Sequence, residues 1–102
     1  MGSTTLNRPS IALCCILKNE IHNINELLKS VKGCFDVIHM TDTGSTDGSK
    51  ELLEKYQDLP ADENPAKTPI RLHYFEWVHD FSAARNFSFS HAETDYIAWG
   101  DL

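Results

Sequence analysis

Carboxylates set among small turn-forming residues are the feature of this chain that bears most directly on chemistry, above all in Asp42-Thr43-Gly44-Ser45-Thr46-Asp47-Gly48. A carboxylate fixed at such a turn can accept a hydrogen bond from a ligand N–H or lend oxygens to a hard cation; it can also simply initiate the turn. Further acids stand in Lys18-Asn19-Glu20, at Asp80 and in Gly100-Asp101. With 15 acidic against 9 basic residues and a formal net charge of −6, the chain would repel a phosphorylated ligand unless a divalent cation stood between them. A nucleotide ligand therefore implies a metal. The same charge balance argues against nucleic acid, whose binding needs clustered Lys and Arg to replace counterions. The five histidines show no metal-ligand spacing and are assigned no role. The three cysteines, Cys14, Cys15 and Cys34, form neither an even disulfide set nor a Cys-x-x-Cys pair, and are expected as small core residues.

Elements that could hold these residues follow from the apolar pattern. Ser10 to Leu17 is a nearly continuous apolar run, which suits a strand buried on both faces of a parallel sheet. Ile24, Leu27, Leu28 and Val31 fall at helical spacing, with Asn23 and Glu26 as a capping pair and Gly33 just past the end. Phe35 to Thr41 returns to strand character, and Asp47 and Gly48 serve the turn and the start of a helix marked by Leu52, Leu53 and Tyr56. Pro60, Pro65 and Pro69 make 58–69 a polar loop. Ile70 to Phe75 predicts a third strand, Ser82 to about His91 a helix, and Tyr96 to Trp99 a fourth strand. The alternation predicts an α/β fold: a Rossmann-like parallel sheet of about four strands with flanking helices. Ligands of such sheets bind outside the carboxyl ends of the strands, and each predicted strand has an acid on or near that exit.

At 102 residues the chain is expected to form one small domain, residues 10–102, behind an N-terminal tail of residues 1–9. No apolar run approaches the roughly 20 residues of a membrane span. The first residues lack the basic and apolar regions of a signal peptide, so a cytoplasmic location is expected.

Four segments, Ile16-Leu17-Lys18-Asn19-Glu20, Thr41-Asp42-Thr43-Gly44-Ser45-Thr46-Asp47-Gly48, Asp80-Phe81-Ser82-Ala83-Ala84-Arg85-Asn86 and Trp99-Gly100-Asp101, resemble family-2 glycosyltransferases in order and spacing. The resemblance covers about residues 10–102 and implies the nucleotide-sugar-binding half of a GT-A fold, ending inside the Asp-x-Asp motif. It implies a nucleotide-diphosphate-sugar donor, most often a UDP-sugar, contacted by Leu17, Asn19, Glu20, Asp42, Thr43, Arg85 and Asp101. Asp42 corresponds to the carboxylate that accepts the base N–H, Glu20 to the polar end of the first strand near the base, and Arg85 to the arginine of an Ala-Arg-Asn segment at the nucleotide. Asp101 corresponds to the first carboxylate of Asp-x-Asp, which holds Mg2+ or Mn2+ against the diphosphate. Thr43 stands where many members have a second Asp, and no Tyr stands near Asn19 to stack on the base, so GDP- or dTDP-sugars stay open as donors. The general base and the acceptor pocket are expected in the other half of the fold, and the chain alone is expected to transfer no sugar.

Asp42-Thr43-Gly44-Ser45 is also the signature of aspartic proteases, some of which are dimers of chains of this size. Those enzymes are nearly all β, whereas helical periodicity flanks the motif here on both sides. A non-catalytic nucleotide-binding module is the other alternative. An exposed fourth strand, with Trp99 beside it, leads to the expectation of a symmetric homodimer through Tyr96–Leu102.

Overall fold

The structure, a computed structural model, describes residues 9–76 and 81–101, with the backbone alone for Phe81 and Asp101. In chain order the elements are β1 (Ile11–Leu17), α1 (Ile21–Ser30), β2 (Val37–Asp42), α2 (Ser49–Asp58), a short 3-10 turn (Ala61–Glu63), β3 (Ile70–Tyr74), α3 (Phe81–Ser90) and β4 (Tyr96–Asp101). The four strands form one parallel sheet in the order β3-β2-β1-β4. This is the predicted Rossmann-like α/β arrangement, the one expected of the N-terminal half of a GT-A fold, and it is not the all-β fold of a protease. The chain steps outward from β1 to β2 to β3, then returns to the other side of β1 for β4.

The apolar run of β1 is continuous because the strand is interior and covered on both faces. Leu13, Cys15 and Leu17 share one face with Ile38, Met40, Ile70 and Leu72, and against them pack Ile24 and Leu28 of α1 and Leu53 of α2. Fully burying each such Leu or Ile contributes roughly 1.5–3 kcal/mol. On the other face α3 lies over β1 and β2, with Ala84 and Ser88 fully buried.

The boundaries differ from expectation where capping differs. α1 begins at Ile21, ahead of the expected Asn23–Glu26 cap, because the N–H groups at its entry find acceptors around the start of α2: that of the N-cap Glu20 donates to Ser49 Oγ (3.0 Å) and that of Ile21 to Asp47 Oδ2 (3.1 Å). Asn23 instead donates its side-chain amide to Glu20 Oε1 (2.7 Å). β4 runs on to Asp101, so that residue stands within the strand and not in its exit loop. Cys14 and Cys15 are core residues as expected, but Cys34 is exposed, since it follows α1 in a turn.

Candidate functional site at the carboxyl ends of the strands

Parallel register sets Leu17 opposite Asp42 and Asp42 opposite Tyr74, so these residues form one row at the carboxyl end of the sheet. At the β2–β3 end of the row lies a cleft of about 440 Å³, lined by the Asp42–Ser45 turn, Lys50 of α2, and Tyr74, Phe75 and Glu76.

Asp42 is 3% exposed. Its Oδ2 is committed to the turn, accepting from the N–H groups of Gly44 (3.3 Å) and Ser45 (3.1 Å). The turn needs a glycine there, because Gly44 has a φ of +117°. Asp42 Oδ1 is fully covered and has no hydrogen-bond partner among the described residues. A buried acceptor in that condition is ordinarily met by an ordered water or by a ligand N–H.

The turn is braced from β1. Thr43 donates both its N–H and its hydroxyl to the Leu17 carbonyl, each at 3.0 Å. Asn19, in the left-handed region with a φ of 56°, donates its N–H to Ser45 Oγ (2.9 Å) and accepts from Thr46 N–H (2.7 Å). Asp47 Oδ1 accepts from Ser49 N–H (3.0 Å) and Ser49 hydroxyl (2.6 Å). The Ser49 hydroxyl, more than any other group, holds the Asp47 carboxyl below the ordinary carboxylate range.

A family model described as "Glycosyl transferase family 2" matches residues 13–102. The chain belongs to glycosyltransferase family 2. It is 31% identical over 100 residues to the SPbeta prophage-derived glycosyltransferase SunS of Bacillus subtilis (strain 168) and, equally, to glycosyltransferase SunS of Bacillus phage SPbeta, covering 98% of this chain and 21% of each relative. It is also 34% identical over 87 residues to a TPR repeat-containing protein of Synechococcus elongatus, covering 85% of this chain and 19% of that one. The chain thus spans about a fifth of the length of these relatives.

Of the residues that the family resemblance assigned to the donor, Asp42 and Thr43 line the cleft. Leu17, Asn19 and Glu20 stand beside it and are engaged in bracing the turns. Arg85 is elsewhere: its guanidinium carbon lies 4.2 Å from the centroid of the Trp99 ring, on α3 above β4. Asp101 pairs with Ile16 at the end of β4, next to β1. The Asp101 side chain and the whole of Asp80 lie outside the described residues. Among the described residues no group of three His, Cys, Asp or Glu side chains is placed to hold a metal ion.

Sequence reasoning missed the far wall of the cleft. Tyr74 is 49% exposed and donates its hydroxyl to Glu54 Oε2 (2.7 Å). Burial, with help from Glu54, pushes its phenol up to about 12, so it stays neutral at all ordinary pH. The Lys50 ammonium stands 5.2 Å from the centroid of that ring. The available signal was the aromatic pair Tyr74-Phe75 at a strand exit, the place where ligands of such sheets bind.

Three histidines also gather where none was expected to act. His39, in β2, has Nδ1 2.9 Å from Nε2 of His73, in β3, and the His73 ring stacks on His91 with centroids 3.9 Å apart. With Arg71 and Glu93 they line a second cleft of about 400 Å³. Strand alternation puts it on the sheet face opposite Asp42 and Tyr74. Burial first, then the neighbouring cationic groups, lowers His39 and holds His73 at about 4.

Proposed function

We propose that this chain is the donor-binding portion of a family-2 glycosyltransferase that takes a UDP-sugar and transfers the sugar to an acceptor hydroxyl. The observation that carries this is Asp42, a residue that lines the cleft at the strand ends: one of its oxygens is locked into the turn, and the other is buried and unmatched among the described residues. A carboxylate oxygen held in that way suits the N3–H of uracil, at about 1.5–3 kcal/mol for a hydrogen bond to a charged group. Because the oxygen is covered in the free protein, a side chain of the cleft wall must shift to admit the base. Sugar transfer also needs an acceptor pocket and a base to take the acceptor's proton. We assign both to other parts of the transferase, in keeping with the fifth of the relatives' length that this chain spans.

Mg2+ or Mn2+ belongs to the same proposal. Asp101 is a single carboxylate, and a cation held by one carboxylate takes its other ligands from the phosphates and water. Such an ion would neutralise charge on the departing nucleotide diphosphate. The partner proposed for the chain itself is a second copy, paired along the exposed β4.

Titration calorimetry with UDP and ADP tests the reading. UDP is expected to bind more tightly, and Asp42→Ala to weaken UDP by about tenfold or more and erase most of the preference. Mn2+ is expected to bind only with nucleotide present. Equal affinities for UDP and ADP, or an Asp42→Ala variant with the preference intact, would remove the base-reading role, and tight Mn2+ binding by the free protein would remove the metal reading.

A further inference from the structure

We infer that the His39–His73 pair and Arg71 form an oxyanion site, which takes a small phosphate- or carboxylate-bearing ligand together with one proton. The site lies on the sheet face opposite Asp42 and Tyr74, so it stands or falls apart from the sugar-donor reading of the other cleft.

The geometry of the pair supplies the coupling to a proton. His39 Nδ1 and His73 Nε2 are 2.9 Å apart, and ring nitrogens that close need a hydrogen between them. A neutral imidazole carries a single N–H. The ring that donates across the contact therefore has a bare nitrogen at its other position, and the ring that accepts has its N–H there. Whichever tautomer is present, the two remaining nitrogens, His39 Nε2 and His73 Nδ1, are one donor and one acceptor. A single added proton makes both of them donors and leaves the bond between the rings in place.

The surroundings suit an anion and not a metal cation. Arg71 pairs with His39 in the strand register, lines the same cleft, and has no ion pair among the described residues. Its guanidinium offers a fixed fork of donors to two oxygens of one group. The His91 ring lies parallel to that of His73, to within 8° at 3.9 Å, so the nitrogens of these rings sit in stacked planes and do not converge as metal ligands would. Burial, and after it the charges of His91, His39 and Arg71, hold His73 at about 4. An anion beside the ring opposes both causes and raises that value. Binding then takes up a proton, and it strengthens as pH falls below the ordinary 6.5. Glu93, the acid among the described lining residues, works against the anion, but it is exposed and solvent screens its charge.

Sulfate is the probe, because it stays unprotonated over the pH range of the test, and NMR of the His39, His73 and His91 ring signals is the readout. Sulfate is expected to shift these signals and to bind about tenfold more tightly at about pH 5.5 than at about pH 7. Arg71→Gln should weaken it by about tenfold or more, and Glu93→Gln should strengthen it by roughly two- to fivefold. His73→Gln, whose amide can still meet His39, should remove the pH dependence, with the backbone spectrum confirming that each variant is folded. Acetate separates the two kinds of oxyanion: tighter sulfate marks a phosphate-like ligand, tighter acetate a carboxylate, and either supports the inference. Shifts that sodium chloride reproduces at equal ionic strength are screening and overturn it. It is overturned as well by sulfate affinity that does not change with pH, or by ring signals that stay still, whether or not the turn at Asp42 responds.

Discussion

Ser49 joins two turns through one hydroxyl, which accepts from Glu20 N–H at 3.0 Å and donates to Asp47 at 2.6 Å. The residue is fully buried, so nothing in the solvent can replace that oxygen. Ser49→Ala is therefore expected to destabilise the chain by about 1–2 kcal/mol, read as a lower urea midpoint at unchanged slope. Asp47 contributes in a pH-dependent way. Its carboxyl is held below its ordinary value in the fold, so its contribution is present above the unfolded-state value and is lost as pH falls through the folded one. That Asp42 and Asp47 stand at turns was legible in the letters, since an acid before Gly44 and another before Gly48 read as turn chemistry wherever they stand. Lys50 and Tyr74 were not. They stand far apart in the chain, and only the β2–β3 register and the docking of α2 bring one over the other.

Elements, more than residues, explain the histidine stack. Parallel pairing puts His39 next to Arg71 and His73 next to Thr41, while the end of α3 brings His91 onto His73. No spacing rule could have found a group assembled from two strands and a helix. His73 faces His39, His91 and Arg71 as cationic or potentially cationic neighbours, with Glu93 the acid lining the same cleft. Its folded value of about 4 lies below the ordinary 6.5, so between those limits the unfolded chain binds a proton that the folded chain refuses. Stability should then be full above about pH 6.5 and fall as pH drops towards 4, with about 1–2 kcal/mol lost by pH 5. Lowered His39 acts in the same direction. Urea midpoints at about pH 7 and pH 5 should show the loss, and His73→Gln should flatten it. A pH-independent midpoint in the wild type would mean that the stack opens without cost. The elements themselves were largely legible, because each has a clear apolar period. Their ends were less so, because α1 takes its caps from outside its own segment.

Among the described residues, the sheet order leaves β3 and β4 at the edges. Tyr96, Ile97 and Trp99 on β4 are 61%, 41% and 37% exposed. An open strand edge beside exposed apolar side chains is a template for a second chain, so the chain is expected to self-associate through β4. Light scattering over a concentration series should show it, and Ile97→Asp should shift the equilibrium towards monomer. A chain that stays monomeric at high concentration would rule this contact out. The parallel α/β class was legible because strands and helices alternate in sequence. The strand order was not, since an alternating pattern is compatible with β4 pairing on either side of the growing sheet.

The bridge between the two turns also has a consequence in time. The entry to α1 depends on acceptors that lie beyond the whole of β2: Ser45 for Asn19 N–H, Ser49 for Glu20 N–H and Asp47 for Ile21 N–H. Local helix formation in α1 is thus opposed by unmet N–H groups until β1 and β2 have paired and the second turn has closed. Helix α1 then belongs to the later events of folding, although it is synthesised before α2, and nascent chains that stop short of Ser49 would hold it only loosely.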